Sequence, residues 1–210
     1  MTQAPKIEEQ PRRGWGIVFG GALAVVAAGV VLYLHNGGAG KSAQPLASAV
    51  QLAIKGLNTG EVAAFSLRDA PVVLPAITFK DAAGKDFDLK AWRGKVVLLN
   101  LWATWCAPCR HEMPALDSLK AELGGADFDV LALATDRGGI DKPKKFWTET
   151  GIKSLALYLD TGDATHALGI LGMPTTLLID REGREIGRLV GPAEWASPEA
   201  KAMLKAALKG

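Results

Sequence analysis

The sequence predicts an α/β domain, a central sheet with helices packed around it. Three observations lead there. From about residue 77 onward, apolar runs of strand length alternate with stretches of helical periodicity, the pattern that builds layered sheet-and-helix architectures. One run, Lys95-Val-Val-Leu-Leu-Asn-Leu-Trp102, is apolar nearly throughout, as a central strand buried on both faces requires. The chain then closes on a hairpin signal and a last helix, and no internal repeat interrupts the series.

The elements follow in order. Ala47 to Lys55 reads as a short helix ended by Gly56, and residues 57–70 carry no clear pattern. Ile77 to Lys80 and Asp86 to Leu89 flank Ala83-Gly84 as a β-hairpin extension ahead of the central strand. Ala107 to Leu123 is a helix with Leu116, Leu119 and Leu123 on one stripe, stopped by Gly124-Gly125. Pro114 interrupts it and should kink it by removing one internal hydrogen bond. Phe128 to Ala134 is a second buried strand. Pro143 to Thr150 opens as a helix with Asp141 as its cap. Leu155 to Leu159 is a short strand and Ala164 to Leu168 a short helix. Thr176 to Asp180 and Glu185 to Val190 pair across Arg181-Glu-Gly183. Ser197-Pro198-Glu199 starts a helix that runs to about Leu208.

Ahead of this domain, Gly14 to Leu34 is a run of 21 residues without a charge. As a helix it would span about 31 Å, close to the hydrocarbon core of a bilayer. Trp15 and Tyr33 sit at its ends, where aromatic side chains favour the interface, and Lys6, Arg12 and Arg13 precede it. The expected organisation is a cytoplasmic N-terminus (1–13), a transmembrane anchor (14–34), a stem (35–70) and a folded domain (71–210) on the far side of the membrane. A cleaved signal peptide competes with the anchor. Its apolar core would be shorter, and the small residues it needs do occur at Gly37 to Gly40 and near Ser42-Ala43. A buried core helix fits poorly, because the run is apolar on every face.

Composition narrows the function. The chain is 49% hydrophobic and 22% charged with net charge +2, and it lacks a dense Lys/Arg cluster. Nucleic acid is therefore not an expected partner. The two cysteines, Cys106 and Cys109, lie in Trp-Cys-Ala-Pro-Cys. A disulfide closing so short a loop stabilises little, so the pair serves reactivity or metal.

The pair stands where the buried strand hands over to a helix. Cys106 falls at the helix N-terminus, where free backbone N–H groups and the helix dipole favour a thiolate, the nucleophile of disulfide exchange. Cys109, one turn further in, is placed to attack a mixed disulfide and release the partner. Pro108 fits the first helical turn. Half of a zinc site is the competing reading, but zinc takes four ligands. His111 points to another helix face, while His35 and His166 are distant in sequence. No metal or other cofactor is expected beyond the redox-active cysteine pair.

Glu112 lies three residues after Cys109 on the stripe of Leu116, Leu119 and Leu123. Held there, its pKa would rise toward values suited to proton exchange with Cys109. Alternatively it is an exposed first-turn acid that favours the helix dipole. Gly172-Met173-Pro174-Thr175-Thr176 reads as a rigid turn, and most X-Pro bonds are trans.

GKVVLLNLWATWCAPCRHEMPAL, GMPTTLLID and the glycine at 191 together resemble the thioredoxin superfamily. More narrowly, they resemble its membrane-anchored extracytoplasmic members of the TlpA, ResA and CcmG type, over about residues 71–208. The resemblance implies a thioredoxin fold, with Cys106 attacking, Cys109 resolving and Glu112 as the acidic residue that follows the motif. It makes Pro174 a cis-proline facing the disulfide and Met173 a backbone partner for an extended substrate segment. Trp105 and Pro108 join these two in the substrate-binding surface. General thioredoxins carry a buried Asp six residues before the first cysteine, and this chain has Asn100. Asn takes up no proton, which moves weight onto Glu112.

Proteins of this type reduce disulfides of extracytoplasmic proteins during cytochrome c or cytochrome oxidase assembly. The implied partners are apocytochrome c or copper-site assembly proteins, with a membrane electron-transfer protein as reductant. Three other readings stand beside this one. An oxidant that introduces disulfides would share the motif, since Ala107-Pro108 does not decide direction. A copper-binding assembly factor would normally space its cysteines by three residues and add a distant His. A peroxiredoxin would not need Cys109.

Overall fold

The computed structural model describes residues 47–210. The expected N-terminus and anchor, and the first part of the expected stem, lie outside the described residues.

In chain order the described residues form helix α1 (Ala49–Ile54) and strands β1 (Ser66–Val73), β2 (Thr78–Asp81), β3 (Asp86–Asp88) and β4 (Val96–Trp102). Helix α2 (Ala107–Leu123), β5 (Phe128–Ala134), α3 (Asp141–Thr150), β6 (Leu157–Asp160) and α4 (Ala164–Ala167) follow. β7 (Thr175–Ile179), β8 (Arg184–Val190) and α5 (Pro198–Ala207) complete the series. The eight strands make one mixed sheet in the order β1-β8-β7-β4-β5-β6-β2-β3. β4 runs parallel to β5 and antiparallel to β7, so it sits in the middle.

Every residue of β4 is buried, and its period of two divides them between two cores. Val96, Leu98 and Trp102 pack on one side with Met113, Leu116 and Leu119 of α2 and with Met203 and Leu204 of α5. Val97, Leu99 and Leu101 pack on the other with Phe79, Trp92, Tyr158 and Leu168. The rings of Phe79, Phe87, Trp92 and Tyr158 close that second face, with centroids between 5.3 and 6.3 Å apart. Asn100 falls on the α2 side of the strand, the only polar residue in β4.

Two expectations are corrected. Residues 49–70 are part of the fold and not a stem. Ser48 caps α1 in a reciprocal capping box with Gln51. Val50, Ile54, Val62 and Phe65 are each at most 3% exposed within the α5-side core. Gln51 Nε2 donates to Arg68 O at 2.8 Å, and β1 pairs with β8. Glu185 of β8, itself buried, accepts from Arg68 of β1 and from Arg188. The pairing of β1 with β8 and of Arg68 with Glu185 joins residues more than a hundred positions apart in sequence, out of reach of any local pattern. The second correction concerns Asp141, which is the first residue of α3 and not its cap. Ile140 takes the cap position without a side-chain hydrogen bond, so Asp141 helps only as a first-turn charge near the dipole. Helix α2 runs continuously through Pro114.

Phe65 gives this segment a checkable weight. Its ring lies over Gly187 so closely that a Cβ there would come within 2.5 Å of it. Phe65→Ala should destabilise the protein by about 3–5 kcal/mol, the usual cost of emptying a fully buried aromatic site. Urea unfolding measures it, and a loss below about 0.5 kcal/mol, ordinary for surface positions, would return residues 49–70 to the status of a stem.

Candidate active site

The site forms where β4 ends. β4 stops at Trp102, and Thr135 after β5 ties back to Trp102 O through its N–H at 2.9 Å and its hydroxyl at 3.1 Å. The chain then turns through Ala103 to Trp105, and α2 begins at Ala107. Asp136 secures this turn. It is 8% exposed and accepts from Thr104 N at 3.0 Å and from the Thr104 hydroxyl. Asp136 lies just past the carboxyl end of β5, the edge where open α/β sheets place their functional groups. Its position there was the one sequence signal for it, and its partner 32 residues upstream carried none.

Cys106 is the N-cap of α2, with extended backbone (φ −89°, ψ 101°) and a sulfur that accepts from Cys109 N at 3.3 Å. The two cysteines are joined as a disulfide with Cα atoms 5.3 Å apart. Cys106 is 5% exposed, whereas Cys109 is fully buried. An incoming thiolate or disulfide therefore meets Cys106. Once the bond is reduced, the free N–H groups and dipole of a 17-residue helix bear on Cys106, which favours its thiolate form.

Glu112 resolves in favour of burial. It is 3% exposed and shares the inner face of α2 with Cys109, Met113, Leu116 and Leu119. Its Oε1 accepts from Asn100 Nδ2 at 2.6 Å and its Oε2 from Ala193 N at 3.2 Å. Burial pushes its pKa up to about 7, against the pull of those two donors and a weaker one from the Trp195 indole, while the charge of Glu194 adds to the rise. The Trp195 N–H points toward the same carboxyl region but has no partner at hydrogen-bond distance among the described residues. A carboxyl poised near neutrality, one helical turn from Cys109, is chemically equipped to take and return a proton.

The second half of the site comes from β7. Leu101 of β4 pairs with Thr175, which sets residue 174 at the same end of the sheet as the cysteine turn. The Met173–Pro174 bond is cis. Pro174 is buried and Met173 half-buried. Thr175 Oγ1 donates to Gly172 O at 2.7 Å, and Gly191 N donates to Pro174 O at 2.8 Å. Gly191 takes φ +111°, a backbone state that side chains disfavour. Between the two halves lies a cavity of about 490 Å³, lined by Thr104, Trp105, Arg137, Leu171 and Met173 among others. Trp105 is 71% and Leu171 94% exposed, and Pro108 is exposed on the first turn of α2. The structure thus brings Trp105, Cys106, Pro108, Cys109, Glu112, Met173 and Pro174 to one end of the sheet. His111 and His166 are exposed, and among the described residues no three His, Cys, Asp or Glu side chains gather as a metal site. No helix among those residues is long and apolar enough to cross a membrane.

Comparison with known proteins places this geometry. The family pattern described as Redoxin matches residues 70–204. The thiol-disulfide oxidoreductase ResA of Bacillus anthracis is 34% identical over 120 residues, 56% of this chain and 67% of that protein. The thiol:disulfide interchange protein HelX of Rhodobacter capsulatus is 33% identical over 126 residues, 60% of this chain and 68% of that protein. Among solved structures, one described as a thiol:disulfide interchange protein DsbE from Chlorobium tepidum superposes with a TM-score of 0.60 at 28% identity. That alignment covers 68% of this chain and 99% of the other.

The raised pKa of Glu112 ties stability to pH. Between the ordinary value of 4.5 and about 7 the folded chain holds a proton that the unfolded chain has released. The carboxyl's contribution is therefore complete below about pH 4.5 and lost as pH rises through about 7, a swing of about 3 kcal/mol. Glu112→Gln should remove that swing. Urea unfolding of both oxidised proteins at pH 5 and pH 8 should show the wild type losing about 2.5 kcal/mol relative to the variant. Parallel pH dependences would mean that Glu112 ionises as it does in water.

Proposed function

The chain belongs to the redoxin family, as a thioredoxin-like thiol–disulfide oxidoreductase of the ResA type, and we propose that it reduces disulfides in extracytoplasmic proteins during heme or copper cytochrome assembly. The enzyme class is that of the Cys-x-x-Cys protein-disulfide reductases. One observation carries the mechanism: a barely exposed Cys106 at a helix N-terminus stands above a buried Cys109 and a buried Glu112 held near neutral pKa.

In the proposed cycle the Cys106 thiolate attacks one sulfur of a substrate disulfide. The substrate S–S bond breaks, a mixed disulfide forms, and the departing sulfur takes from solvent the proton that Cys106 released on ionising. Glu112, ionised, accepts the proton of Cys109. The Cys109 thiolate then attacks Cys106 Sγ, closing the enzyme disulfide and releasing the second substrate sulfur, to which Glu112 returns its proton by way of solvent. Two electrons and two protons pass to the substrate, and the enzyme is left oxidised. The attacking Cys109 thiol thus has a proton acceptor inside the site, which is general base assistance to exchange.

The substrate segment is read as extended, lying along the backbone of Met173 and against Pro174, with Trp105 and Pro108 on its other side. The names of ResA and HelX relatives support a role in thiol exchange. The narrower assignment to apocytochrome c or copper-site proteins rests on the resemblance alone. Residues 14–34 would anchor the domain to the outer side of a bacterial inner membrane, with residues 1–13 in the cytoplasm. A reductant in that oxidising space needs electrons from within, supplied in this reading by a membrane electron-transfer protein.

Two measurements test the reading. Equilibration with glutathione or dithiothreitol gives the potential of the Cys106–Cys109 couple. A value near thioredoxin's, about −270 mV, is expected, while one near about −120 mV would make the protein an oxidant. Cys109→Ser in the intact chain should accumulate a mixed disulfide between Cys106 and the physiological substrate, identifiable by mass spectrometry, and Cys106→Ser should accumulate none. Trapped proteins without heme- or copper-binding cysteines would refute the assembly role and leave the oxidoreductase.

A further inference from the structure

Asn100 uses one end of its side chain and not the other. Its Nδ2 donates to Glu112 Oε1 at 2.6 Å and to Thr176 Oγ1 at 2.9 Å. Its Oδ1 is buried and finds no donor among the described residues. Among the described residues it is the only buried side-chain acceptor in that condition. Asn100 is fully buried, and an unpaired acceptor in such a place is destabilising. The group beside it changes its needs on titration. An ionised carboxylate only accepts, whereas the neutral acid carries an O–H that needs an acceptor.

The surroundings limit how that need is met. Oε2 of Glu112 already faces the Ala193 N–H. The other groups acting on the carboxyl are the Trp195 indole, a donor, and Glu194, a charge of the same sign. Cys106 and Cys109 are tied to each other. A proton on Oε1 would therefore meet the Nδ2 hydrogens, donor against donor. A half-turn of the carboxamide removes the conflict, because Oδ1 then faces both Glu112 and Thr176. Thr176 lies opposite Asn100 in the β4–β7 register, and its hydroxyl either accepts or donates. One end of the carboxamide is unpaired in either orientation, so the partner at the other end decides between them.

We propose that the Asn100 carboxamide turns over with the protonation of Glu112, offering Nδ2 to the ionised carboxylate and Oδ1 to the neutral acid. Asn100 is then a positioning residue. It acts through Glu112, and it gives both protonation states a hydrogen-bond partner without movement of the strand that carries it. An aspartate here would supply a second charge, and an apolar residue would supply neither partner. The inference rests on the proposed proton role of Glu112 only for its use in exchange, not for its geometry.

Nuclear magnetic resonance on the oxidised, isotopically labelled intact chain tests it, since the disulfide keeps both thiols from titrating. The Asn100 side-chain amide and the Glu112 carboxyl carbon are followed from about pH 5 to about pH 9, spanning the value near 7. The two should titrate with one midpoint. The amide hydrogens should be close to Thr176 on the alkaline side and lose that proximity on the acidic side. In Glu112→Gln the amide should hold one orientation throughout. An amide that keeps the same neighbours while Glu112 titrates overturns the proposal. Asn100→Leu gives a second reading. If Asn100 serves both forms, the Glu112 midpoint moves by less than about one unit, because each form loses one bond. A rise of about two units or more would mean that Asn100 serves the ionised form alone, and the turnover would be refuted. If the amide turns and exchange rates ignore Glu112, the proton-carrier reading fails and the turnover stands.

Discussion

The complete burial of β4 is the constraint from which the rest of the site follows. A strand covered on both faces has no solvent to satisfy a polar side chain, so Asn100 must find its partners inside the protein. It finds them in Glu112 and Thr176, one from the helix above and one from the strand beside it. The same burial fixes the register with β5 and β7 over most of the strand. That register sets where β4 ends, which side of the sheet α2 rises on, and which turn of β7 lies beside the cysteines. The active site is a consequence of strand packing before it is a set of reactive groups.

A carboxyl in that interior is a poor choice for stability and a good one for chemistry. Its pKa near 7 records the conflict, since desolvation outweighs two direct hydrogen bonds. Other buried acids in the chain are handled differently. Glu185 is gripped by two guanidinium groups, and Asp180 is bound by Arg184. Asp136 takes both the N–H and the hydroxyl of Thr104. Glu112 has only neutral hydrogen-bond partners, and burial raises its pKa. That distinction separates an acid that holds the structure from one that remains free to exchange a proton.

Much of this was legible in the sequence where local pattern and tertiary outcome coincide. β4, α2 and β5 lie at or within a residue of their expected bounds, because continuous apolar runs and the Leu116–Leu119–Leu123 stripe report burial directly. The cysteine pair and its helix N-terminus were equally plain. The stripe put Glu112 on the inner face, but only the fold shows how completely it is covered. β1 was not legible: Ser66-Leu-Arg-Asp-Ala-Pro-Val-Val alternates poorly, leaves Val73 75% exposed, and owes its place to Glu185 and Gln51. Asp136 and Thr104 likewise carry no mutual signal. Asn100 read as the loss of a proton acceptor, and its role as the partner of Glu112 required two elements twelve residues apart to be set face to face.

The exposure of the site's members sorts them by task. Trp105 and Leu171 stand in solvent on either side of a cavity, Cys106 barely reaches it, and Cys109 and Glu112 do not. The cavity's rim is therefore wet, and Cys109 and Glu112 lie in the dry interior. A thiolate at Cys106 gains from the helix terminus without needing the interior, whereas in the proposed cycle Cys109 has no such help and would lose its proton in a medium that resists charge. In such a medium, a proton moving from Cys109 to Glu112 leaves the buried charge unchanged in sign and number, displaced by about one helical turn. The step that would be costly for either group alone becomes an exchange between neighbours. In the proposed cycle that is the physical reason for the two to share one face of α2, and for Asn100 to lie against the carboxyl that would receive the proton.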